Sequence, residues 1–111
     1  SSWKEWIKMN EVMSQITALD KIYRNGLEDA YLNRAINKVI THAISKNQKD
    51  IRVLKKDLGE LEKRFNMDSD TFFKKWESGM IGDGADFFEW SALYQMCLRA
   101  KKRLELFGVN E

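Results

Sequence analysis

The 111-residue chain has no proline, one cysteine and one histidine. The absence of proline argues against a loop-rich or collagen-like chain. Cys97 alone forms no intrachain disulfide, and with only His42 beside it no Cys/His zinc cluster can assemble. No metal and no cofactor is therefore expected. This cysteine usage fits a reducing, cytoplasmic setting. No apolar run approaches the ~20 residues of a membrane-spanning helix, and no basic stretch followed by an apolar signal core opens the chain. Glycine is sparse as well. Gly79, Gly82 and Gly84 lack the Lys-Ser/Thr ending and the preceding strand of a phosphate-binding loop.

What remains is rich in charge and aromatic rings. Charged residues make up 32% and aromatics 12%, with four Trp, six Phe and three Tyr, enough core-forming side chains to exclude disorder. The length suits one domain. Net charge is only +2, but it is unevenly spread: residues 1–26 carry +1, 27–66 carry +3, 67–89 carry −4 and 90–111 carry +2. An acidic connector thus separates two basic stretches, partly because acidic residues favour helix starts.

Periodicity predicts an all-α fold with helices near 3–24, 28–66, 70–78 and 86–107. Trp6, Met9, Met13, Ile16, Leu19 and Tyr23 recur at three- and four-residue steps, as one face of a first helix requires. Asn25-Gly26 supplies the stop. In the second segment Ile40, Ile44, Asn47, Ile51, Leu54, Leu58, Leu61 and Phe65 are spaced alternately by four and three residues. That is a heptad seam, and Leu32, Ile36 and Val39 extend its stripe upstream. Asn47 at a seam position either fixes register and oligomer state or faces water where the stripe drifts. Asp68-Ser69-Asp70 reads as a helix N-cap, with either Asp68 or Ser69 as the capping side chain, opening a short third helix. Asp86, with Glu89 three residues on, reads as a capping box for the last. Trp90, Leu93, Cys97, Ala100, Leu104 and Phe107 form a second seam.

The two seams are expected to fold back as an antiparallel helical hairpin with coiled-coil character, with the first helix as an addition. The last helix covers only about half of the long one. The first helix or a second chain must cover the rest, and a homodimer is expected, with Ile44, Asn47, Ile51, Leu54, Leu58 and Leu61 as its seam.

No residue set supports an enzyme. His42 has no positioned nucleophile beside it, and the Asp68 and Asp83 stretches fail the spacing of a calcium loop. Two surfaces offer binding. Phe72, Phe73, Trp76, Phe87, Phe88 and Trp90 crowd around an acidic loop, which suits an aromatic anchor for a protein partner. With an acidic rim, the candidate partner-binding residues are Phe72, Phe73, Trp76, Asp83, Asp86, Phe87, Glu89 and Trp90, fitted to a basic partner. The alternative is a basic stripe for nucleic acid, built from Lys49, Arg52, Lys55 and Lys56 on one helix and Arg99, Lys101, Lys102 and Arg103 on the other.

The run Phe65-Asn66-Met67-Asp68-Ser69-Asp70-Thr71-Phe72-Phe73, with Trp76-Glu77-Ser78-Gly79, Ile81-Gly82-Asp83 and Asp86-Phe87-Phe88-Glu89-Trp90, resembles small prokaryotic helical proteins of the antitoxin-like type from toxin–antitoxin pairs. The resemblance covers about residues 30–107, and the Gly-Asp and Asp-Phe-Phe-Glu-Trp segments are its most specific part. It implies a non-enzymatic protein that sequesters a small toxin. No DNA-binding module precedes the helices.

Overall fold

A computed structural model describes residues 2–27 and 29–110. Among them it holds four helices and no strand: α1 (Ser2–Arg24), α2 (Ala30–Phe65), α3 (Ser69–Glu77) and α4 (Ala85–Leu106). The fold is all-α. No helix among the described residues is long and apolar enough to cross a membrane. The chain falls into two compact units, residues 1–38 and 39–111.

In the first unit α1 ends where expected. Gly26 takes a left-handed φ of +78°, its N–H bonds the Tyr23 carbonyl, and the Leu27 N–H reaches back to the Ile22 carbonyl. This closes the orphan carbonyls of the last turn. Asp29, which the periodicity did not single out, caps α2: its carboxylate accepts from the N–H groups of Tyr31 at 2.7 Å and Leu32 at 3.1 Å. Position 28, the expected helix start, lies outside the described residues. The Tyr23 hydroxyl donates to the Asn33 side-chain carbonyl at 2.6 Å, and Leu19, Leu32 and Ile36 are half-buried. Further out, cover is absent: α1 has no buried residue along its 23 positions.

The second unit holds the core. Ile51, Leu54, Leu58 and Leu61 of α2, Phe72 of α3, and Trp90, Cys97, Ala100 and Leu104 of α4 form one buried cluster. Contacts order α2 and α4 in opposite directions. Asn47 meets Arg103, Arg64 meets Asp86, and Phe65 stacks near Phe87 and Trp90. Cys97 and Ala100 are small, which lets the α2 leucines fill the space between the helices. The seam assigned to an oligomer is therefore occupied within one chain: Ile51, Leu54, Leu58 and Leu61 are buried, and Ile44 packs at their edge.

The turn between α2 and α3 places Asn66 in the left-handed region at φ 51°, which asparagine tolerates better than most residues. Asp68 then caps α3, accepting from the Thr71 N–H at 2.8 Å. This bond holds its carboxyl below the usual range. The capping expected of Asp86 and Glu89 is not formed. α4 starts one residue earlier, with Gly84 at the N-cap position and no side-chain cap. The Gly84 carbonyl takes the N–H groups of Phe87 and Phe88. Asp86 lies inside the first turn, where the helix dipole still favours it, and sits 3.6 Å from the Arg64 guanidinium.

Candidate interaction surfaces

The aromatic cluster divides into an inside and an outside. Phe72 and Trp90 stack face to face, with centroids 3.9 Å apart and planes within 3°, and both are fully buried. The Trp90 indole N–H donates to the Ser69 hydroxyl at 2.9 Å, and the Ser69 backbone N–H donates to the Glu62 carboxylate at 2.8 Å. Phe72 and Trp90 are thus withdrawn from any surface anchor, because α2, α3 and α4 close over them. Phe87 is half-buried beside Phe65 and Phe72. Phe73 is half-buried against Tyr94, with centroids 4.8 Å apart.

The Tyr94 hydroxyl donates to the Asp70 carboxylate. That bond, with desolvation and the carboxylate charge behind it, pushes the phenol up to about 12.

At the edge of this stack Trp76 lies against Phe72, with centroids 6.1 Å apart, and meets Phe88 edge to face at 4.8 Å and 80°. Trp76 is half-buried, Phe88 is 56% exposed, and Met80 just beyond α3 is 75% exposed. Glu77, Asp83, Asp86 and Glu89 are all exposed on the same short stretch of chain. Phe88 carries the largest exposed aromatic surface of this unit, yet the expected partner-binding set left it out, although the helical period held the signal. Phe87 continues the Trp90 and Cys97 seam, so its neighbour, turned by ~100° on the helix, falls outside it.

The basic residues do not make one stripe. Lys49, Arg99 and Arg103 line one groove together with Asp50, Val53 and Met96. Lys55 and Lys101 line another, which also contains Glu62, Asp68 and Asp70. Arg52, Lys56 and Lys102 are exposed. Each groove carries carboxylates among its cations, which weakens its field toward a phosphate backbone. Arg103 is further engaged, its Nε donating to the Asn47 side-chain carbonyl at 2.8 Å. Asn47 itself is buried and donates to the Ala43 carbonyl.

The third surface is α1. Trp3, Trp6, Met9, Val12, Met13 and Ile16 are each more than half exposed. Among the described residues no group of three or more His, Cys, Asp or Glu is arranged to hold a metal. His42 is exposed and Cys97 is buried. Comparison with protein-family models, curated proteins and solved structures found no match.

Proposed function

We propose that the chain is a non-enzymatic protein-interaction module, antitoxin-like in action, that captures a small basic protein on the Trp76–Phe88 surface in the cytoplasm. The carrying observation is the edge-to-face Trp76–Phe88 pair at the edge of the aromatic core, with Phe88 more than half exposed and Met80, four residues after Trp76, exposed as well. Aromatic and methionine side chains dominate interface cores. The acidic residues Glu77, Asp83 and Glu89 nearby would steer a basic partner and speed its approach. A free, buried Cys97 suits a reducing compartment.

The test is a pull-down from the native host at moderate salt, with and without nuclease treatment, using wild-type chain and Phe88→Asp. The reading expects one small basic protein on the wild type and its loss from the variant, both chains melting at the same temperature. Equal recovery from both would remove the patch from the function. Nucleic acid recovered instead, and released as salt rises, would move the function to the groove of Lys49, Arg99 and Arg103.

A further inference from the structure

The outer face of α1 is an apolar stripe without cover. Trp6 is 63% exposed, Met9 66%, Met13 55% and Ile16 53%. A lone helix of mixed sequence is marginal in water and draws its stability from a packed face. With Trp3 and Val12 at its edges, the stripe offers on the order of 600 Å² per chain, the two indole side chains (~150–250 Å² each when whole) giving the largest shares. That reaches the top of the range for the largest apolar patch of a usual monomer, roughly 300–600 Å². It approaches the ~800 Å² that each partner buries in a stable pair.

The order of residues along the stripe points to its occupant. Trp6, Met9, Met13 and Ile16 are separated by three, four and three residues, a spacing that reads the same in both directions. Two copies running antiparallel about a two-fold axis at position 11 set Trp6 against the partner's Ile16 and Met9 against the partner's Met13. A large ring thus meets a smaller branched chain, and two adaptable thioethers meet each other. In the same register Glu5 falls opposite Thr17 and Lys8 opposite Ser14, so no like charges face each other beside the stripe. Glu11, on the axis, sits ~200° round the helix from Met9, and the two copies point away from one another. The helix carries four basic and three acidic residues in the stretch 1–26. No single-sign rim is present to select a strongly charged foreign partner.

We infer that a second copy of this chain covers the apolar face of α1, the two α1 helices pairing antiparallel through Trp6, Met9, Met13 and Ile16. This dimer does not depend on the Trp76–Phe88 reading, and its test does not touch that patch.

Sedimentation velocity of the full chain from about 5 to 200 µM is expected to show a dimer. Met9→Glu with Met13→Glu should convert it to monomer while leaving the melting temperature of the core in place, since no residue of α1 belongs to the core cluster. A second measurement stands apart from folding of the charged variant. Chains carrying Met9→Cys, mixed with chains carrying Met13→Cys and oxidised, should cross-link at least tenfold faster than either variant alone; Cys97 is buried and out of reach. A wild-type chain that stays monomeric over the whole range overturns the inference. So does a dimer indifferent to the two glutamates, or cross-linking fastest within a single variant.

Discussion

Trp90 and Ser69 are joined across 21 residues by a buried hydrogen bond from the indole N–H to the hydroxyl. It links the start of α3 to the first turns of α4 at the point where the two helices and α2 enclose the aromatic stack. Ser69→Ala leaves a buried indole N–H without a partner, and urea unfolding should show a loss of about 1–3 kcal/mol. Trp90→Phe made on the Ser69→Ala background should cost less than on wild type, because the orphaned donor goes with it. Trp90→Ala, which opens a cavity against Phe72, should cost about 3–5 kcal/mol.

Asn47 and Arg103 behave asymmetrically. Removing the guanidinium with Arg103→Ala strands the buried carbonyl of Asn47, a loss of roughly 1–3 kcal/mol. Asn47→Leu instead lets Arg103, which is exposed, return to water, and stability should stay within about 1 kcal/mol of wild type. Chemical denaturation of the two single variants separates these outcomes; equal losses would show that the hydrogen bond carries no such asymmetry.

The phenol of Tyr94 should ionise near 12. Its value in the unfolded chain is near the ordinary tyrosine value of 10.0. The folded value is raised, so the Tyr94 contribution is complete below about 10 and disappears as pH climbs through about 12. Ultraviolet titration of wild type against Tyr94→Phe isolates this group. Asp70→Asn should bring its midpoint back down, since the Asp70 carboxylate is the main cause of the shift.

Asp68 has the opposite sign. Its folded carboxyl lies below the ordinary aspartate value of 3.8. Its contribution is therefore complete above that value and vanishes as pH falls through the depressed one. Asp68→Ala should lower the melting temperature at neutral pH, and Asp68→Asn, which keeps a capping oxygen, should recover most of the loss. A melting series from neutral to strongly acidic pH checks both halves.

Elements with local causes were legible in the sequence. The leucine seam from Ile51 to Leu61, the stop at Gly26 and a cap at Asp68 or Ser69 each follow from spacing or from one side chain and its own helix; the structure gives the cap to Asp68. What depended on distant partners was not. Counting aromatics around the acidic loop could not tell Trp90 from Phe88, because Trp90 is drawn inside by the Ser69 hydroxyl and the Phe72 ring. The cap at Asp86 failed for a related reason: α4 begins earlier, at Ala85, with Phe87 placed against Phe65. The α2 seam was assigned both to a hairpin with the last helix and to an interface between chains; spacing alone cannot choose between them, and in the structure α4 covers Ile51, Leu54, Leu58 and Leu61.

The burial contrast between the two ends of the chain carries a consequence for how this protein can diverge. Every buried side chain of the core cluster lies at position 51 or beyond, so substitutions along α1 before Leu19 meet no packing veto from that core. Related sequences should hold the last three helices nearly constant while α1 drifts wherever its binding surface allows, changing association while the shared core persists.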